Sequence, residues 1–166
     1  MKAELKAGDL FAVNSPNLLG KCIRFIEKLW AWDREAAYNH AGVIIGQDGS
    51  TMEALLTFRI SSLDKYRGQK ILIVRHKEMT FEKFSQGLYA LNGEIGRVYP
   101  VYRLVLFLIP PLAKISTFGR GVCSEQTAKF LCAAGFGNVK FGITPDNLAD
   151  LWRESKSMDI IFEGIW

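Results

Sequence analysis

The sequence predicts an α+β fold in which an antiparallel sheet packs against helices kept to one side. Three observations predict it. A strand-like and then a helix-like segment open the chain, an Asp-Gly hairpin occupies its middle, and helix-like segments dominate its C-terminal half. The 166 residues suit one compact domain spanning 1–166, and 49% hydrophobic against 23% charged residues leaves material for a sizeable core.

Each element has its own signal. "GDLFAV" (8–13) reads as a first strand entered through a Gly-Asp turn. "NLLGKCIRFIEKLW" (17–30) repeats apolar residues at helical period. "HAGVIIG" (40–46) is short, β-branched and bounded by glycine, as a buried strand is. "QDGS" supplies a hairpin turn, and "TMEALL" (51–56) is the returning strand. "RISSLDKY" (59–66) follows, and "KILIVRH" (70–76) is a further strand. "TFEKFSQGLYALNGEIG" (80–96) reads as a helix with Thr80 as its N-cap and no capping box. "CSEQTAKFLCAAG" (123–135) is the clearest helix, with Glu125 in its first turn and Gly135 just beyond its end. "ITPDNLADLWRES" adds a last helix with Pro145 at its start.

The totals exclude several function classes. A net charge of +4, without a run of five or six like charges, gives no nucleic-acid arm. The polar N-terminus lacks the apolar stretch of a secretory signal, and "LVLFLIPPLA" (104–113) is too short and proline-broken to span a bilayer. The protein is therefore expected to be soluble and cytoplasmic, with no integral membrane segment. Three cysteines, Cys22, Cys123 and Cys132, form no disulfide framework and no C-x-x-C pair. Two histidines make a zinc site hard to assemble, and phosphate-binding glycine motifs are missing, so no metal and no cofactor is expected.

One constellation carries chemistry. Cys123 opens a helix directly after "FGRGV", where the helix dipole and free backbone N–H groups favour a thiolate. The same N–H groups suit an oxyanion, and the glycines before the cysteine allow close approach of a substrate. A packing role is the usual one for a lone cysteine and is assigned to Cys22 and Cys132. A thiolate nucleophile needs a base. His40 begins a strand, where a side chain is held rigidly, although taken alone its structural reading is the favoured one. His76, between Arg75 and Lys77, reads as a solvated surface histidine. Glu53 is the single carboxylate inside an apolar returning strand, so it points to solvent or has a partner. A hairpin centred on Asp48-Gly49 sets 43–45 against 52–55, which leaves His40 a few residues beyond Glu53's partner and requires strand twist or a bulge to join them.

The ordered pieces "GDLFAV", "YNHAGVIIG", "TMEALL", "GRVYPVYRL", "GVCSEQTAKFLCAAG" and "TPDNLADL" resemble the permuted papain-like cysteine amidases of the YaeF/YiiX type, relatives of the NlpC-type cell-wall hydrolases. In this group, as here, the histidine precedes the cysteine. The resemblance covers nearly the whole chain, and Cys-Ser-Glu and Asn-His-Ala-Gly are its specific parts. It implies a circularly permuted papain-like fold with the nucleophile at a helix N-terminus. It also implies a triad of Cys123, His40 and Glu53. Its Gly-x-x-Tyr falls on Gly96 and Tyr99, with Tyr99 near the nucleophile as an oxyanion aid. Pro100 stands where the family often has an acid, which makes Tyr102 a rival for that role. Gly121 and Ser124, flanking Cys123, are the remaining oxyanion or substrate contacts. The activity implied is hydrolysis of an amide, in a peptidoglycan peptide or another peptide, through an acyl-enzyme. A lipid acyl hydrolase or acyltransferase using the same triad is the alternative; if Trp30, Trp32 and "VLFLIPPL" line one cleft, an acyl chain or an apolar amide would fit it, although core packing is the better reading for most such residues. A non-catalytic binding module is a third reading. Nothing in the sequence defines an oligomeric state.

Overall fold

The computed structural model of the chain describes residues 4–16, 37–55, 57–98, 122–137 and 142–166. The helix expected over 17–30, the apolar run 104–113, Trp30, Trp32 and Cys22 lie outside the described residues.

Six strands form one antiparallel sheet in the order β4-β3-β2-β1-β5-β6. These are β1 (Leu10–Val13), β2 (His40–Ile44), β3 (Ser50–Ala54), β4 (Phe58–Ser62), β5 (Lys70–His76) and β6 (Met158–Ile165). Among the described residues three helices accompany them: α1 (Phe81–Asn92), α2 (Cys123–Ala133) and α3 (Pro145–Glu154). No helix among the described residues is long and apolar enough to cross a membrane.

Strand alternation divides the core in two. Leu10, Ala12, Leu72 and Val74 join Phe84 of α1, Phe130 of α2 and Trp152 of α3 in one cluster. Phe11, Val13, Ile71 and Ile73 face the opposite way and meet Leu5, Leu63 and Tyr66. The described helices thus share one face of the sheet, as the sequence predicts. A short 3₁₀ turn, Leu63–Tyr66, helps close the other face, with the Ser62 hydroxyl accepting the Asp64 N–H at its start.

Alternation also corrects one reading. His76 is buried, not solvated, and stacks on Phe136 with ring centroids 3.6 Å apart. It follows Leu72 and Val74 onto the helix face, so its neighbours in the chain, Arg75 and Lys77, are poor guides to its surroundings. Strand β6 was not anticipated. Its residues are only half buried because it forms one edge of the sheet, so its apolar pattern is diluted by Asp159 and Glu163.

Two glycines permit close packing. A Cβ on Gly42 would lie 2.7 Å from the Phe11 ring, and one on Gly87 would lie 2.6 Å from the Phe130 ring. Gly42 lets the fully buried Phe11 ring cross β2, and that ring then sits edge-on to His40. Gly87 lets α1 close on α2. Gly42→Ala is therefore expected to cost roughly 1–3 kcal/mol through overpacking. The measurement is the urea-unfolding free energy, and an unchanged value would mean that the Phe11 ring yields without strain.

Candidate active site

His40 is the first residue of β2 and pairs with Val13 at the end of the β1–β2 ladder. In the β2–β3 hairpin, Gly42 stands opposite Glu53 and Ile44 opposite Thr51. His40 and Glu53 are consequently diagonal neighbours on one face. The true register is offset from the expected one by enough to remove any need for a bulge. His40 Nε2 lies 2.7 Å from Glu53 Oε2.

Cys123 is the first residue of α2, and α2 packs on β2 and β3. There it lies near enough to the His40 ring to act on its ionisation. Nε2 already faces Glu53, so Nδ1 is the ring nitrogen left for the sulfur. The position of His40 at the strand's very start explains how this occurs. At the rim of a sheet, a side chain from one face can meet a helix tip lying over the other.

Glu53 is 1% exposed, and both of its oxygens are engaged. Oε2 accepts from His40 and from the Tyr66 hydroxyl. Oε1 accepts from the Thr51 hydroxyl at 2.8 Å and from the Lys65 ammonium. Burial pushes Glu53 toward protonation, but the bonds and charges of His40 and Lys65 outweigh it and hold the carboxyl well below its usual range. Being ionised, Glu53 only accepts, so Nε2 of His40 carries the hydrogen. Burial pulls His40 down, while the neighbouring Cys123 and then Glu53 raise it further, to about 9. Burial and the Glu53 charge raise Tyr66, which stays a protonated donor.

The sequence reading missed Thr51, Lys65 and Tyr66, because a carboxylate in a strand does not announce which loop will cover it. It also missed the fasteners around the pair. Asn39 accepts the Ser15 N–H at 2.7 Å and donates to the Ser15 carbonyl at 2.8 Å. Asp146 accepts the N–H groups of Ala37 and Tyr38 at 2.8 and 3.1 Å. Together they hold the backbone leading into His40. At the other partner, Glu125 accepts the Val122 and Gly142 N–H groups at 3.0 and 2.8 Å. Ser124, expected at the oxyanion or substrate, is fully buried and donates its hydroxyl to the Ile143 carbonyl at 2.6 Å. That hydroxyl pins the helix start, which leaves Ser124 only its backbone N–H for any substrate. Tyr99, Tyr102 and Gly121 lie outside the described residues. Cys132 is half buried in the last turn of α2, not in its middle as its neighbours Leu131 and Ala133 suggested.

Among the described residues no group of three or more His, Cys, Asp or Glu side chains is arranged to hold a metal. The lone pairs of Glu53 are taken by its four donors, so Cys123 and Nδ1 of His40 remain as a two-donor set. A cavity of about 460 Å³, walled by Leu5, Gln47, Leu63, Arg67, Phe162 and Trp166, does not include Cys123, His40 or Glu53.

These ionisations carry opposite pH signatures. The folded Glu53 carboxyl is depressed, so its stabilisation is present above the ordinary carboxylate range and lost as pH falls below it. The folded His40 is raised, so its stabilisation is complete below about 6.5 and lost as pH rises through about 9. His76, lowered by burial, acts in the opposite sense at the lower end of that window, where the unfolded chain's ring is still partly protonated, and is neutral in both states near its upper end. The unfolding free energy of the wild type is expected to fall between these values by up to about 3 kcal/mol. The fall should shrink in His40→Gln. Urea titrations at the two pH values check this, and an equal fall in the variant would remove His40 as its source.

No family model matches the chain, and neither does any curated protein. Among solved structures, the chain is similar to YiiX of Escherichia coli O157:H7, described as a metalloprotein and assigned to DUF1105. The two share 12% identity with a TM-score of 0.64, over 97% of this chain and 98% of YiiX. The likeness runs almost end to end in both proteins and shows a YiiX-type fold: a mixed α+β arrangement built on an antiparallel sheet.

Proposed function

We propose that the protein is a cysteine hydrolase of the permuted papain-like type that cleaves an amide bond through an acyl-enzyme on Cys123. The supporting observation is the His40 ring, held by Glu53 through Nε2 with Cys123 near enough to act on its ionisation, all three buried. A structural histidine needs one partner to be satisfied; this one has a carboxylate and a thiol in the order that nucleophile activation requires.

Each group has a defined task. Nδ1 of His40 takes the thiol proton. The sulfur attacks the carbonyl carbon, and the oxyanion is met by N–H groups in the first turn of α2, which have no acceptor one turn back. The C–N bond breaks as His40 returns its proton to the departing amine. Water then attacks the thioester, giving up a proton to His40, and the carboxylic acid leaves as the thiol is restored. Glu53 holds the ring in one tautomer and stabilises the imidazolium without taking its proton. General acid–base transfer of this kind contributes roughly 10²–10⁴-fold.

YiiX is described as a metalloprotein, which raises a metal-dependent reading of the same fold. The donors among the described residues do not fit it. A catalytic zinc takes about three protein ligands, whereas among the described residues Cys123 and Nδ1 of His40 supply two, and Glu53 is saturated by its own donors.

Cys123→Ala is expected to lower turnover by at least about 10³-fold while leaving the unfolding free energy near that of the wild type. The assay is a panel of peptide amides, peptidoglycan fragments and acyl lipids. Hydrolysis confined to acyl lipids would move the substrate class from amide to ester. Activity retained in Cys123→Ala on any of them would end the cysteine mechanism. Iodoacetamide should alkylate Cys123 ahead of Cys22 and Cys132 at neutral pH, read by peptide mass mapping, and equal slow labelling of all three would count against a thiolate.

A further inference from the structure

Glu53 is ionised, buried and shared between two cationic partners. His40 is one of them, but His40 must gain and lose a proton in every turnover. A carboxylate balanced by His40 alone would lose its counter-charge whenever the ring passed its proton on. Lys65 stands on the opposite oxygen of the carboxylate. It is anchored for that purpose: its ammonium also donates to the Ser61 hydroxyl at 2.7 Å and lies 4.8 Å from the centre of the Tyr66 ring. Three-quarters of its side chain is sheltered from solvent, so water screens the pair weakly.

We infer that Lys65 is a positioning residue of this site, a permanent counter-charge to Glu53 that sets the pH range over which Cys123 is reactive. The inference rests on the reading of Cys123 as nucleophile and assigns the site a fourth member. Every charged or titratable group facing Glu53 among the described residues enters the balance. His40 comes from β2, Lys65 and Tyr66 from the 3₁₀ turn, Arg59 from its paired position on β4, and Cys123 from α2 through the His40 ring. Tyr66 stays neutral, and Arg59 is exposed, which leaves Lys65, whose charge burial disfavours and Glu53 supports, as the positive charge that stays in contact with the carboxylate when the ring gives up its proton. Taking that charge away makes the surroundings of the thiol and the ring more negative. A more negative field opposes thiolate formation and tightens the imidazolium proton, so both the acid and the alkaline limits of reactivity move to higher pH.

The test needs no substrate. The rate of Cys123 alkylation by iodoacetamide is followed across the pH range by peptide mass mapping in the wild type, Lys65→Met, Lys65→Gln and Lys65→Arg. Lys65→Gln keeps an N–H donor for Oε1 and decides the matter if Lys65→Met fails to fold. The two neutral variants should shift the profile upward by roughly one pH unit, and Lys65→Arg should restore it. A wild type whose Cys123 is fast, with the same profile in Lys65→Gln, would overturn the role of Lys65 and leave the nucleophile intact. A wild type whose Cys123 reacts no faster than Cys132 would overturn both together.

Discussion

A buried carboxylate organises this molecule. Stripping water from an ionised Glu53 costs several kcal/mol unless donors replace it. Four donors do so, and they come from three separate stretches of chain. The strand pairing cannot slip without breaking this arrangement. A shift of one residue would turn Glu53 to the helix face, among Met52, Ala54 and Val43, where no cation waits. The Asp48-Gly49 turn therefore has a consequence beyond closing a hairpin. It sets the register that brings Glu53 diagonal to His40, and the Gly49 carbonyl also accepts the Leu63 N–H at 2.9 Å. One turn thus aligns the histidine's strand and docks the segment that carries Lys65 and Tyr66.

What the sequence made legible follows from the range of the forces involved. Strand β5 was readable residue for residue because Ile71 to Val74 are all buried and β-branched or leucine, a purely local pattern. Helix α2 was readable because its period and its C-terminal Gly135, at φ 83°, are local as well. The side of a strand that a polar residue occupies is also local, yet it is read from residues two apart, and judging His76 by its immediate neighbours led to the opposite environment. Register is harder. It depends on where the turn closes, and an error of one or two positions separates a diagonal pair from a distant one. Lys65 was out of reach for a different reason. Nothing in "SSLDKY" distinguishes a lysine aimed at a buried acid from one in water, since the difference is made by a strand that precedes it and a fold that returns it.

The motif residues also divide by task. Cys123 and His40 are the pair to which the proposed chemistry is assigned, whereas their companions fasten backbone. Asp9, in the Gly-Asp-Leu opening, takes two donors from Arg75 and one from the Lys6 N–H. Asn39, beside His40, ties β2 to the residue after β1. Buried polar groups of this sort are retained because each satisfies a backbone group that would otherwise be orphaned. A pattern such as Asn-His or Cys-Ser-Glu therefore reports a held geometry as much as a reaction.

The tightest of these fasteners lie in one short piece of chain. Gly142 and Ile143 bond Glu125 and Ser124, which fixes the start of α2 and with it the sulfur. Three residues further on, Asp146 grips Ala37 and Tyr38, just ahead of His40. Thr144 caps α3 between these contacts, and Pro145 begins it without an N–H to satisfy. The helix that bears the thiol and the strand that bears the imidazole are distant in sequence and lie on different layers. Their relative placement is nonetheless set by five consecutive residues that touch both, with rigid backbone at each end. The placement of these two side chains therefore rests on hydrogen bonds to main-chain atoms, the least adjustable partners the chain has.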